Sequence, residues 1–523
     1  METMRCIFLA LCLSLFAARA ARGDITPDNA FEFLRTAELK ATINVSVDNI
    51  DWIEDEAAAA EHGRQLEAAL ARNPDDLEAA SELIELYLRG CRREEAVAVA
   101  LRTLPAYKER WNREQSEAAA LSFARAALAS ADRQEQIAGY RALQPYLESG
   151  RAGRETCVAT MELCKRVNAF QVAELIADTY LPVYPRFAEL YYQRYAASLT
   201  GNMYARLSEA VQASTREALD EEDLRELIAR VFIDLADSVD TASLEKAVAL
   251  EPGNYKYALN TALYETVTAF FLKVFLEALS GVTVDERPAN LLRQAAVVLP
   301  PRLHAPIQAA EALRPARDIQ VYLVGAMAGI VLENYAEAEA YAHLAIETRP
   351  DRPEGYEALI LAIFGPFVVS DNDIPPAAVE RGIARYEDKI RRTRASASDY
   401  ASLANLLLVQ LIDAEPAARG PLLAKARLYA EKARDSDPGF VPGRLVLANV
   451  HIASRDYRRA IVVLEDIPVP EDPDLAAMRL HNLGIARILA GERGAGIASL
   501  RAALELQPDN PESLDALSEL VGE

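Results

Sequence analysis

The sequence predicts an all-α chain in which antiparallel helix pairs stack one on the next as a solenoid, and three observations predict it. The chain has 523 residues, several times the size of one compact domain, so several domains or one repetitive array must account for it. Its composition, 51% hydrophobic with only 22 Gly and 26 Pro, excludes a disordered chain, a collagen-like chain and a transmembrane bundle. Finally, an apolar helix running into proline and then polar residues recurs at 70–76, 248–254, 346–351, 434–439 and 504–510. Each is a helix stop followed by a restart.

The first element is a leader. Arg5 is followed by the apolar run 6–18, and Ala18-Arg19-Ala20 supplies the small residues a signal peptidase accepts. Residues 1–20 are therefore expected to be a signal peptide, cleaved after Ala20, and the protein to be exported, periplasmic or secreted. Glu2 weakens the positive flank, which a start at Met4 would restore. Cys12 follows Leu11 in mid-run, a poor setting for lipidation, and the run is too short to span a membrane. Residues 21–60 read as a lead-in segment.

Repeat helices follow. Counting back from Pro350 puts Tyr322, Ala326, Tyr335, Ala338, Ala342 and Ala345 at places 4, 8, 17, 20, 24 and 27 of a 34-residue unit, 319–352. The frame fits 441–474 with Leu447, Ala448, Tyr457, Ala460 and Leu464, and 477–510 with Leu480, Leu483, Gly484, Gly491, Gly496, Leu500, Ala503 and Pro508. This pattern resembles the tetratricopeptide repeat, whose paired helices cross closely only where small residues stand at places 8 and 20. The resemblance implies a right-handed superhelical solenoid with the first helix of each pair on its inner face. The unit 397–440 keeps Tyr400, Leu403, Ala404, Ala426, Ala430, Ala433 and Pro438 but carries about ten extra residues near 413–421, expected as an insertion between its helices. Weaker, divergent copies fill 61–318: one at 77–104, one at 154–187 and one at 188–218, the last with Tyr191, Tyr204 and Leu207. Residues 255–318 and 353–396 depart most from the pattern. The stretch 511–523 reads as a cap helix with Leu514, Leu517 and Leu520.

Charge and chemistry narrow the function. A net charge of −23 repels phosphate backbones, so no nucleic-acid partner is expected. The basic cluster Lys389, Arg391, Arg392 and Arg394 follows Glu387 and Asp388 and reads as the solvated face of a helix. The apolar stretches 268–279 and 359–369 are interrupted by charge or by Gly365-Pro366, so no transmembrane span is expected. There is no phosphate-binding Gly-rich loop ending in Gly-Lys-Ser/Thr, no His-Glu-x-x-His, no Gly-x-Ser-x-Gly and no Cys-x-x-Cys. His62, His304, His343, His451 and His481 are all more than four residues apart. No catalytic residue, metal site or cofactor is predicted. Acids 220–223 precede Leu224, Leu227, Ile228 and Val231 and read as a helix start; the 371–373 triplet lacks a calcium loop's closing Glu, with Gly382 in its place. Cys91, Cys157 and Cys164 are expected as free thiols, although a link from Cys91 to either of the others stays open in an oxidising compartment.

One constellation stands out. Asn405 and Asn449 occupy place 9 of successive units and His481 place 5 of the next, all on first helices, with Arg444 and Arg479 expected at the rim. Members of the resembling family grip a partner's C-terminal carboxylate with Asn and basic residues at such places; here Leu445 and Leu407 replace the basic ones. The resemblance implies a non-enzymatic scaffold that binds a partner protein or peptide in its concave groove. A structural subunit of an envelope complex and an envelope enzyme sited in 255–318 or 353–396 are the other classes.

Overall fold

The computed structural model describes residues 50–130, 132–216, 239–280, 287–370, 374–470, 472–508 and 510–521. The leader with its Ala18-Arg19-Ala20 site, most of the lead-in, the acids 220–223 and the triplet 371–373 lie outside them. The described residues are all helix and connection, in two compact units, Met1–Arg349 and Pro350–Glu523.

Unit 1 contains α1 (Glu56–Arg72), α2 (Leu77–Arg89), α3 (Arg93–Glu114), α4 (Glu117–Ala129), α5 (Arg133–Glu148), α6 (Arg154–Arg166), α7 (Phe170–Tyr180), α8 (Ala188–Arg216), α9 (Thr241–Leu250), α10 (Tyr255–Ser280), α11 (Arg287–Leu313), α12 (Gln320–Val331) and α13 (Tyr335–Thr348). Unit 2 contains α14 (Pro353–Ser370), α15 (Pro376–Arg392), α16 (Ala397–Ile412), α17 (Pro416–Ser436), α18 (Val441–Ala453), α19 (Tyr457–Glu465), α20 (Pro473–Leu489), α21 (Arg493–Leu506) and α22 (Pro511–Val521). In each unit a helix packs on its sequence neighbours. First helices also pack on the first helix of the next pair, as α2 on α4, α4 on α6, α6 on α8, α16 on α18 and α18 on α20. Such nearest-neighbour packing is a solenoid, so the predicted fold class is the fold of each unit.

The repeat frame has a backbone signature. Place 15 of the units starting at 77, 154, 319, 441 and 477 is left-handed: Cys91 (φ 56°), Asn168 (φ 63°), Glu333 (φ 55°), Arg455 (φ 60°) and Gly491 (φ 91°). The N–H at place 16 then donates to the carbonyl at place 11: Arg92 to Tyr87, Ala169 to Cys164, Asn334 to Gly329, Asp456 to His451 and Glu492 to Arg487, at 2.7–2.8 Å. This is the Schellman closure that satisfies the last carbonyls of a first helix and reverses the chain. Starts are set by acidic or hydroxyl caps: Asp55, Asp76, Ser116, Asp132 and Asp240 each accept a first-turn N–H. Ala326, Ala338, Ala448 and Ala460 are fully buried.

The structure corrects four expectations. The first helix begins at Glu56, capped by Asp55, inside the presumed lead-in. Residues 188–218 are not a helix pair, since α8 runs unbroken to Arg216. Gly201, which sits where the turn belonged, serves close packing instead: a Cβ there would stand 2.7 Å from Phe170 Cβ. The extra residues of unit 397–440 form no insertion loop; Pro416 starts α17 at its first helical position and lengthens that helix to 21 residues. The first helix of unit 477–510 begins four residues early, at Pro473, because Asp472 caps it by accepting from the N–H groups of Asp474 and Leu475.

Lys389 departs from the solvated-face reading as well. It is buried, and its ammonium donates to Glu357 on α14 at 2.8 Å and to Asp399 on α16 at 2.6 Å. Burial alone would pull the Lys389 pKa down, but the two carboxylates outweigh it and the net shift is upward. Three consecutive helices are thereby joined at one buried charge. The two most divergent segments contain packed helix pairs also, α10 with α11 and α14 with α15.

Candidate functional site

The predicted site residues fall in unit 2 on three first helices, α16, α18 and α20. Asn405 is exposed and Asn449 half-buried, and neither side chain makes a hydrogen bond among the described residues. The other three are engaged. His481 Nδ1 lies 2.8 Å from Ser513 Oγ on α22, and burial lowers its pKa. Arg479 Nε donates to Leu464 O at 2.8 Å, and Arg444 pairs with Asp466, both at the C-terminal end of α19. There the two cations satisfy a carbonyl and complement the helix dipole, so their first use is structural. Leu445 and Leu407, at the places where the family carries basic residues, are buried in the core. The structure thus leaves Asn405 and Asn449 available and turns His481, Arg444 and Arg479 toward packing.

A larger feature lies in unit 1 along the first helices α2, α4, α6 and α8, a groove of about 770 Å³. Its apolar lining includes Ile84, Leu88, Leu128, Val158 and Phe170. Its charged lining carries both signs: Glu85, Arg93, Arg125, Glu162, Lys165 and Glu189. Arg125 is paired with Glu155 across the α4–α6 step at 2.6 Å. Carboxylates fix the spacing of the helices that line it. On α4, Glu117 Oε1 accepts from Gly153 N (2.8 Å) and Thr156 Oγ1 (2.6 Å) at the start of α6. On α8, Glu189 accepts from Lys256 Nζ at 3.0 Å and Tyr257 Oη at 2.9 Å, both on α10, and from Gln193 Nε2 at 2.8 Å.

Sequence reasoning missed this groove because its parts come from units too divergent to align. The signal that could have found it is the succession Leu88, Leu128 and Val158, apolar residues left at least partly exposed on α2, α4 and α6.

Among the described residues no group of three or more His, Cys, Asp or Glu side chains is placed to hold a metal ion. The buried thiols are poor nucleophiles: burial, with Glu117 nearby for the first, pushes Cys157 up to about 12, and burial pushes Cys164 up to about 12. Among the described residues, Cys91, Cys157 and Cys164 form no disulfide. No described helix is long and apolar enough to cross a membrane.

No family model and no curated protein matches the chain. Solved helical-repeat structures align along most of it at low identity. With the APC/C hetero-tetramer Cut9-Hcn1 the identity is 12%, covering 93% of this chain and 91% of that one, at a TM-score of 0.30. With yeast Tom70 it is 13%, covering 88% and 96%, at 0.27. With the human IFIT1 dimer bound to PPP-AAAA it is 12%, covering 88% and 97%, at 0.29. At such scores no residue of this chain is matched to a functional residue of theirs.

Proposed function

We propose that this chain is a non-enzymatic scaffold of the cell envelope that binds a segment of a partner protein along its first helices. The observation that carries the reading is the unit 1 groove, lined by apolar side chains and by charges of both signs over four consecutive first helices. That lining fits an extended peptide with apolar side chains spaced along it and both signs of charge at its edges. Asn405 and Asn449 are a second proposed contact, in unit 2. Export rests on the leader: N-terminal sequencing should find a mature chain beginning at Ala21, and a chain retaining Met1 or Met4 would place the protein elsewhere.

Photo-crosslinking tests the groove. A photoreactive residue at Leu88 or Val158 of the full chain, exposed to envelope extract, should capture one polypeptide reproducibly. The same probe at Leu428, on the exposed side of α17, should not capture it. Capture from Asn405 or Leu428 alone would move the binding surface to unit 2.

A further inference from the structure

We propose that residues 50–56 form a clasp that closes unit 1 on itself, and that this clasp holds the α8 wall of the groove in place through the first turn of α10. The Asp51 backbone N–H donates to Asp318 Oδ2 at 2.9 Å, although the two residues are 267 positions apart. The Asp51 carboxylate is itself buried, accepts from Arg349 and lies 3.7 Å from Arg317 Nε. Arg317 reaches on to Glu56. The neighbouring Trp52 donates its backbone N–H to Arg89 O at the end of α2, at 2.9 Å, and sets its ring edge-on to Tyr255 at 6.1 Å. One short stretch therefore grips α2 on one side, and α10, the α11–α12 connection and the end of α13 on the other.

The grip has the chemistry of a permanent contact. Asp318 is 1% exposed, and its carboxylate takes three donors: Asp51 N, Gln320 N at 2.9 Å and Tyr255 Oη at 2.6 Å. A buried carboxylate is tolerated only when its oxygens are satisfied in this way. Removing the clasp would take one donor from Asp318 and one acceptor from Arg349. Stacked repeats touch only their neighbours, so nothing in the repeat pattern itself requires a contact across this sequence distance.

The link to the groove runs through three successive residues. Tyr255 belongs to the clasp, whereas Lys256 and Tyr257 hold Glu189 on the groove wall. Three residues of one helical turn share a hydrogen-bonded backbone, so a shift that releases the first displaces the other two. The coupling uses the groove's geometry and not its occupant, so its test needs no ligand and is separate from the crosslinking above.

Hydrogen exchange on the full chain reads both ends. Asp51→Ala should lower protection over 50–60 at least tenfold and over 187–200 at least threefold. Tyr257→Phe should loosen 187–200 and leave 50–60 unchanged. Unchanged protection over 187–200 in Asp51→Ala would overturn the coupling, and unchanged protection over 50–60 would overturn the clasp. Should Asp51→Ala unfold unit 1 as a whole, Tyr255→Phe, which removes a single hydroxyl, reads the same two segments. It should raise exchange in both, and no change in either would overturn the proposal.

Discussion

Gly484 and Gly496 meet backbone to backbone. A Cβ on Gly484 would stand 3.0 Å from Gly496 O, and one on Gly496 would stand 2.8 Å from Gly484 O. They fill places 8 and 20 of the last repeat, where other units carry alanine, so α20 and α21 cross more closely than any pair bearing side chains there can. Gly496→Ala should force the helices apart and destabilise unit 2 by about 1–3 kcal/mol. Ala326, Ala338, Ala448 and Ala460 stand at the matching places with no exposed surface, and enlarging any of them to Leu should cost about the same. Denaturant unfolding of the full chain checks this, and variants as stable as the parent would mean that these positions are not the crossing points.

The crossings were legible because small residues and a helix-ending proline leave a period in the sequence. The turns between the helices were not. Their left-handed residue is glycine in only one of the five units that share it, and Cys91, Asn168, Glu333 and Arg455 give no composition signal. Tertiary packing holds those residues in a conformation their side chains disfavour. Gly201 lies inside an unbroken helix, since glycine serves close approach as readily as it ends a helix. Of the candidate site, two asparagines could be read from place numbers. The groove could not, because it is assembled from helices whose repeats have lost the family's residues. Lys389 sat among exposed arginines in sequence, and only the third helix, bringing Asp399, makes it a buried residue.

That lysine gives a sharper test of unit 2. Lys389→Met removes the cation that bridges Glu357 and Asp399, leaving the buried Asp399 carboxylate without its charge partner. Breaking a buried ion pair from one side costs about 3–5 kcal/mol, more than deleting both members. Adding Asp399→Asn to Lys389→Met should therefore recover part of the loss. Two changes that merely add would show that the three helices are not joined at this charge.

Acid should loosen unit 2 at its C-terminal end. Burial lowers the pKa of His481, against a small opposing pull from Glu512. Burial also lowers His451, helped by Arg427 and Arg459 and opposed by Asp456 and Glu431. A histidine whose folded pKa lies below its unfolded value binds its proton more readily when unfolded. Its contribution to stability is thus complete above about pH 6.5 and is lost as pH falls through the folded value. Between pH 7.5 and 5, hydrogen-exchange protection factors over 511–521 should fall, because the His481–Ser513 contact ties α22 to α20. His481→Gln should flatten much of that dependence, and an unaltered fall in the variant would assign it to other groups.

Asn405 and Asn449 are the residues of unit 2 whose loss should touch binding and not folding. One is exposed and the other half-buried, and neither side chain is hydrogen-bonded among the described residues. Replacing both with Ala should leave unfolding within about 0.5 kcal/mol of the parent, as for surface changes away from caps and cores. If their amides pair with a partner's backbone, the double change leaves those groups unsatisfied in the complex and weakens capture by about 1–3 kcal/mol. Arg444→Ala behaves differently: it removes the partner of Asp466 at the end of α19, so any loss of capture in that variant should come with loss of stability. Comparing the two variants at equal folded fraction separates contact from scaffold. Capture untouched by the asparagine pair, alongside crosslinking from Leu88, would confine the binding surface to the groove of unit 1.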